Sequence, residues 1–530
     1  MTGNKKLQVW LPLLFSIVMI LGMLLGYRLN GKGGKEGFFS SNRRSSLQEA
    51  LDLIRFRYVD SVHIDSLEGK AIQEMMSELD PHSVYLPPVE LKEANEDLAG
   101  NFQGIGVEFN LFRDTVNVVY VIPGGPSEKA GLSVGDRITK VNETALTGKG
   151  FNTTEIKKFI RGPKGSQAVL QVLRDGKPLT ITVTRGTIPV SAVDANYLIA
   201  PKTGYIRLNR FTENSYEEFM AALEAQTKEG IDKLILDLRG NGGGFMNEAV
   251  DMADEFLDGE KLVVYMQGVN TKKRDYRCKR PGLFENGKLV LLVDELSASA
   301  SEVLAGALQD WCRARIVGRR TFGKGLVQEQ YTLSDGAAIR LTIARYYTPL
   351  GRSIQRSYAK GKKVYMDEMW ERYSSGEMYS RDSVRNHNNG KMFFNNCKDT
   401  LYDGDGITPD IFVPLDTSLR YDNINKWLEG TRLNSYVYNY YLRHRNEMAG
   451  YRSVSEFTSR FPGTSLWEGL EKESAGDSLR TTGLSQAEKE NLRLRMIALL
   501  ARFKWRNSGY FEVMNSKDPA IRKAIETLSR

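Results

Sequence analysis

Between residues 204 and 350, short apolar runs with strand character alternate with helical patterns, and this alternation limits the architecture more than any other feature of the chain. GYIRLNRF, 204–211, reads as a strand, and SYEEFMAALEAQTKEG, 215–230, as a helix closed by Gly230. DKLILDLRGNGGG, 232–244, is a buried strand running into a glycine loop, and NEAVDMADEFL is helical. KLVLLVDE, 288–295, is a second buried strand, followed by SASASE, 297–302, and the helix SEVLAGALQDW. RARIVG, 313–318, is a third strand. Strands and helices in this rhythm imply an α/β core in which helices pack on a mainly parallel sheet.

The rest of the chain has a different texture. Its 530 residues are too many for one ordinary domain. Lys5 and Lys6 precede 7–27, LQVWLPLLFSIVMILGMLLGY, which carries no charge. About 20 apolar residues span a bilayer core, and no A-x-A-like cleavage site or lipid-attachment cysteine is evident. These features predict an uncleaved transmembrane signal anchor at 7–27, with 1–6 in the cytoplasm and the remainder on the periplasmic side of the inner membrane. Arg28, Lys32 and Lys35 on the far side leave the charge rule ambiguous. Residues 28–45 read as a linker and 46–98 as a helical region, with Leu47, Leu51, Ile54 and Tyr58 on one helix face. From 99 to 187 the period becomes alternating, and Asp175-Gly176 marks a tight hairpin turn. The core extends over 188–419, with a polar excursion at 358–400 and a returning strand at 407–415. Residues 420–530 are mostly helical, most clearly at 484–505. The fold class expected is therefore α+β and multidomain, with helical N- and C-terminal regions.

The net charge of +8 is modest for this length and does not imply nucleic acid, and the basic run KKRDYRCKR, 272–280, reads as a solvated loop. Three widely spaced cysteines, Cys278, Cys312 and Cys397, form no C-x-x-C motif, which argues against a zinc ribbon or a thioredoxin-type site. An odd, sparse count argues against a disulfide framework without excluding an oxidising compartment.

SASASE admits two readings. In a helix cap, a serine caps and a glutamate three residues on reaches back, and only Ser299, with Glu302 at that distance, fits. The same junction of strand and helix suits a nucleophile, because amides at a helix start, here that of Ala300, stabilise negative charge. A serine nucleophile needs a base. None of the four histidines, His63, His82, His387 and His444, lies in 204–350, and each reads as a surface or packing residue; the G-x-S-x-G elbow is also missing. Lys324, in TFGKGLVQ, 321–328, is the other candidate, against the alternative of an exposed lysine in a glycine turn. Burial would have to lower its pKa to free the lone pair, with Gln328 orienting the amine. GRRTFGKG, 318–325, fails as a phosphate loop because Gly325 replaces Ser/Thr and extended sequence follows. RGNGGG, 239–244, fails as a dinucleotide loop because Phe245 stands at the sixth position. It is either a plain tight turn or a source of oxyanion N–H donors, Gly243 first and Gly244 second.

Taken together, these motifs resemble the C-terminal processing peptidases, or tail-specific proteases, over about 46–415. The family's serine stretch resembles 297–302, its nucleophile being the middle serine, Ser299; its lysine, in T-[FY]-G-K-G, matches Lys324, and its glutamine Gln328. Its D-L-R-x-N-x-G-G loop matches 237–244. FQGIGVEF, 102–109, and AGLSVGDRITKVN, 130–142, resemble the carboxylate loop and the helix-turn-strand of a PDZ domain. The resemblance implies a PDZ domain at 99–187 ahead of a crotonase-like protease core. It implies a serine endopeptidase with a Ser299–Lys324 dyad, needing no metal or cofactor. Ala300 and Gly243 would supply the oxyanion amides. Gly104, Ile105, Gly106 and Val107 would receive the C-terminus of a protein substrate by strand addition. It also makes plausible a homodimer, an activating adaptor, and a role for Arg161 in coupling capture to activation, against a surface ion pair. The rival classes are a non-catalytic, membrane-anchored PDZ adaptor and an acyl-CoA enzyme.

Overall fold

The computed structural model describes residues 5–29, 45–380, 390–415, 425, 427, 431–474 and 481–530. The short tail before residue 5, most of the expected linker, His387 and the boundary expected at 419–420 lie outside these residues. The chain divides into two compact units, Met1–Ile72 and Gln73–Arg530. In the first, Lys5–Leu29 forms a helix with Pro12 inside it. Among the described residues, however, no helix is long and apolar enough to cross a membrane. That corrects the single-pass anchor and the inner-membrane placement expected from the sequence. The expectation rested on a charge-free run of about the right length without a cleavage site, and that run includes the polar Gln8 and Ser16 and the helix-interior Pro12. Helix Ser46–Arg57 follows, with Leu51 its buried residue. Leu47 and Tyr58, expected on the same packed face, are exposed.

In the second unit, Val107–Phe112, Thr115–Val121, Arg137–Val141, Gln167–Arg174 and Lys177–Thr184 form an antiparallel sheet in that order. Helix Thr153–Ile160 closes one side, capped reciprocally by Asn152 and Glu155. Val116, Val118, Ile138, Ile156, Leu170 and Val183 fill this core. The hairpin Arg174–Lys177 turns at Asp175 and Gly176, φ 50° and 80°. Two successive positive φ angles are what a two-residue hairpin of native twist requires.

The larger sheet runs Val193–Ala200, Thr203–Leu208, Lys233–Asp237, Lys288–Val293, Arg315–Gly318 and Ile411–Phe412. All its pairs are parallel except the first. Alternate residues divide between its faces. Leu234, Leu236, Leu289, Leu291 and Val293 join helices Ser215–Lys228, Met246–Asp254 and Ala300–Asp310 in one core. Ile235, Val290 and Leu292 point the other way, onto Ile521, Ala524 and Leu528 of helix Pro519–Ser529. Burial on both faces is why these strands read as continuous apolar runs. The last helix of the chain thus supplies the second layer of the core.

A second sheet is centred on Ala338–Tyr347, which pairs with Leu326–Thr332, Leu262–Gln267 and Val84–Leu86. The region read as helical over 46–98 therefore contributes a strand, which brings 80–86 beside the segment after Lys324. Helices Arg432–Arg443, Val454–Arg460, Thr464–Ser474 and Gln486–Asn515 share a further core. The longest breaks at Arg506, φ 61°. There Arg506 stacks on Tyr120 and, with Arg502, pairs with Glu108.

Candidate active site

The three serines of 297–301 have different fates. Ser297 and Ser301 are fully buried, and their hydroxyls donate to Leu238 O at 2.8 Å and Asn241 O at 2.9 Å, stapling the stretch to the glycine loop. Ser299 is half-buried and has φ 56°, ψ −114° at the junction of strand and helix. A non-glycine residue held there costs about 1–3 kcal/mol, strain of a kind that concentrates at functional sites. The chain thus makes a strained strand-to-helix turn without its usual flanking glycines. Gly243 supplies the missing space from across the gap. A Cβ on it would stand 2.6 Å from Ala298 O, 2.8 Å from Ser299 Cβ and 2.9 Å from Ala300 N, and its φ is 93°.

Glu302 does more than cap. Its fully buried carboxylate accepts from Ser299 N (2.9 Å) and Lys324 N (2.8 Å) on Oε2, and from Gly323 N (2.7 Å) and Thr321 Oγ1 (2.5 Å) on Oε1. Thr321 Oγ1 itself accepts from Ile407 N at 2.7 Å, so its proton is committed to Glu302. Burial raises the Glu302 pKa and the four donors oppose it. With four donors facing two oxygens, the group is a carboxylate with its lone pairs filled. One side chain therefore clasps the serine turn and the lysine loop, and the Ser299 and Lys324 amides meet on a single oxygen.

Lys324 is half-buried, with Nζ donating to Gln328 Oε1 at 2.9 Å. Gln328 Nε2 in turn donates to the carbonyl of His82 at 2.6 Å. Asp80 shapes that turn by accepting from His82 N (2.8 Å), Ser83 N (2.9 Å) and Ser83 Oγ (2.5 Å). His82 Nε2 lies 2.8 Å from the buried Tyr365 hydroxyl. Burial, then the Arg340 guanidinium, lowers the Lys324 pKa, while Asp80 and Glu302 oppose the shift. Burial first and then the Lys324 charge push His82 down to about 4. His82 is thus neutral near pH 7 and adds no second cation beside the amine.

The glycine loop is braced from below. Asp237 is fully buried; burial alone would raise its pKa, but the Arg239 and Arg207 guanidiniums outweigh it and hold the carboxylate ionised. Arg239 continues to Asp518, which caps the last helix, at 2.7 Å. The Gly243 amide, expected as an oxyanion donor, donates instead to Asn241 Oδ1 at 2.9 Å. Asn241 Nδ2 is fixed on Leu208 O at 3.0 Å, so the loop satisfies its own donor. The Ala300 amide has no acceptor among the described residues.

In the smaller domain, Gly106 has φ 78°, and a Cβ there would lie 2.9 Å from Ile188 Cδ1. The Ile105 and Gly106 carbonyls accept from Ser127 N and Ile122 N, whereas their amides meet no acceptor among the described residues. Gly104 pairs with Gly186. Val107–Phe112 is an edge strand with one neighbour, Thr115–Val121.

Residues 202–361 match Peptidase family S41, and 103–184 match a PDZ domain. A carboxy-terminal-processing protease of Bartonella bacilliformis is 35% identical over 351 residues, covering 65% of this chain and 80% of its own length. The chain belongs to that protease family. It is a serine-type peptidase with a PDZ domain, which sets aside the non-catalytic adaptor. A probable CtpA-like serine protease of Staphylococcus epidermidis is 33% identical over 373 residues, 68% of this chain and 73% of its own. The solved structure of a photosystem II D1 C-terminal processing protease is 28% identical, spans 70% of this chain and 86% of its own, and has a TM-score of 0.38.

Within this peptidase, Ser299, Ala300, Lys324, Gln328 and Gly243 come together, while Gly104–Val107 line a separate domain. Arg161 lies over the Phe102 ring at 4.5 Å and pairs with Glu96 at 3.4 Å. Three contributors escaped sequence reasoning: Glu302 beyond its cap, His82 through its carbonyl, and Tyr365 from the excursion. The S-x-x-E spacing signalled the first; nothing local signalled the other two.

Proposed function

We propose that the peptidase hydrolyses peptide bonds with a Ser299–Lys324 dyad, on chains whose free C-termini its PDZ domain captures. The observation that carries this reading is the Glu302 clasp, which joins the serine turn to the lysine loop while Gln328 holds the amine. Ser299 Oγ attacks the carbonyl and neutral Lys324 takes its proton, later delivering it to the leaving amine. The Ala300 amide faces the oxyanion. The Gly243 amide becomes a second donor only when Asn241 releases it, and one such donor is worth roughly 10²–10³ in kcat. A glycine loop facing a helix start across a parallel sheet is also the arrangement expected of a crotonase-like core. The free amides of Ile105 and Gly106 take the substrate carboxylate, and the edge strand from Val107 adds the peptide as a further strand.

Two measurements test this reading. Lys324 must be neutral to act as base, so kcat/KM rises with pH through the lysine's own pKa, which burial places below the ordinary 10.5. Activity against an unfolded protein should therefore be present near neutral pH and rise towards alkaline pH. A profile that stays level from pH 5 upwards, or falls as pH rises, removes lysine as the base. Second, amidating the substrate's C-terminus removes charge-assisted hydrogen bonds worth about 1.5–3 kcal/mol, so kcat/KM should drop roughly 10- to 100-fold. Equal kcat/KM for acid and amide would refute carboxylate capture.

A further inference from the structure

The helix that starts at Ser299 spans Ala300–Asp310, and Cys312 lies just beyond its far end with φ 56°. Cys397 sits in the turn between the paired strands Met392–Phe394 and Thr400–Tyr402. Eighty-five residues separate the two, yet the Cys397 amide donates to Cys312 Sγ at 2.9 Å. Their sulfurs and a carboxylate oxygen of Asp399 all lie within 4.8 Å of one another. We propose that Cys312 and Cys397 form a reversible dithiol–disulfide site that ties the 392–402 hairpin to the end of this helix.

The hairpin is already docked where the bond would close. Asn395 Nδ2 donates to Gln309 O at 3.2 Å. Arg352, almost fully buried, joins Asp310 Oδ1 at 2.6 Å to Tyr402 O at 3.3 Å. Oxidation therefore needs a small adjustment of two side chains rather than a new fold. A metal ion fits the same group poorly. The Asp399 carboxylate is held by the Arg315 guanidinium at 2.9 Å, which sets a fixed positive charge beside the would-be ligands. The third cysteine, Cys278, is buried in the main core and has no part in the pair.

The two thiols differ in reactivity. Cys397 is exposed, whereas burial, followed by its contact with Cys397, pushes the Cys312 thiol up to about 12. Cys397 is thus the thiol that meets an external oxidant, such as a small-molecule disulfide. Its thiolate attacks one sulfur of that disulfide, and the first small thiol leaves with the proton Cys397 lost. Cys312 then attacks the Cys397 sulfur of the mixed disulfide, and the second small thiol leaves with the Cys312 proton. Two protein thiols are oxidised and one external disulfide is reduced to two thiols. Beyond the hairpin the chain reaches Gly406, where a Cβ would lie 2.7 Å from Thr321 Oγ1 and 3.0 Å from Glu302 Oε1. The bond would steady the segment that backs the Glu302 carboxylate, and its formation does not depend on the dyad.

The test uses the full chain under native conditions, equilibrated with glutathione disulfide or with excess reduced glutathione and then alkylated, unfolded and mapped by mass spectrometry. The oxidised sample should lose two hydrogens and yield a peptide linking Cys312 to Cys397, with Cys278 alkylated only after unfolding. Cys312→Ser and Cys397→Ser should each abolish the linked peptide. The linked form should hold its activity to a midpoint several degrees higher than the reduced form. Recovery of both residues alkylated after oxidation overturns the proposal. So does stable glutathionylation of Cys397 with Cys312 still free, or stoichiometric zinc retained on the pair in the presence of the oxidant.

Discussion

Ser299→Ala and Lys324→Ala should each lower kcat roughly 10⁴- to 10⁶-fold against an unfolded protein substrate, and the double substitution should cost no more than either alone. In the proposed dyad the attacking hydroxyl and the amine that takes its proton act on one step, so removing either would leave the other without work. Binding of a C-terminal peptide by the PDZ domain should stay within twofold of the starting protein, because Gly104–Val107 belong to a different sheet from either residue. Peptide titration and single-turnover cleavage separate the two effects. Multiplicative losses in the double variant, or a Lys324→Ala protein that keeps its rate, would show that Ser299 draws its base from elsewhere.

The second large effect belongs to Glu302. Glu302→Ala strips three backbone amides and the Thr321 hydroxyl of their shared acceptor in a site closed to water. Each unsatisfied buried donor costs about 1–3 kcal/mol. The serine turn, already strained at φ 56°, and the lysine loop lose the side chain that holds them together. A misplacement of 1 Å is enough for about 10²-fold in rate, so kcat should fall at least that far even in molecules that remain folded. Glu302→Gln keeps the volume, but its amide nitrogen would face two donors with two of its own, so it should rescue little. Urea-unfolding midpoints and kcat for both variants check this. An alanine variant with the original midpoint and rate would mean that the clasp is dispensable.

Part of the site is written in short-range pattern. Ser299 stands apart from Ser297 and Ser301 because only it has a glutamate three residues on, and the structure uses the other two as buried staples. The strands at 233–237 and 288–293 are visible as apolar runs because helices cover both faces, and Asp175-Gly176 marks its hairpin because the turn needs two positive φ angles. Other parts have no local trace. Gly243 looks like a free amide in the sequence, but Asn241, two residues earlier, occupies it only because its own amide nitrogen is fixed on Leu208. The anchor expected at 7–27 rested on the length and lack of charge of that run, whereas among the described residues no helix is long and apolar enough to cross a membrane.

The order of strands and helices in the core, the hairpin turn at Asp175-Gly176 and the serine that stands at the strand–helix junction were determined by the chain's own pattern, because periodicity, caps and turns act over a few neighbouring residues. The setting of the lysine was decided only by tertiary structure. Gln328 is held by a carbonyl 246 residues away, and that histidine by a tyrosine 283 residues further along. Burial, which lowers the lysine's pKa, is created by segments meeting in space and leaves no mark in the spacing of any one of them.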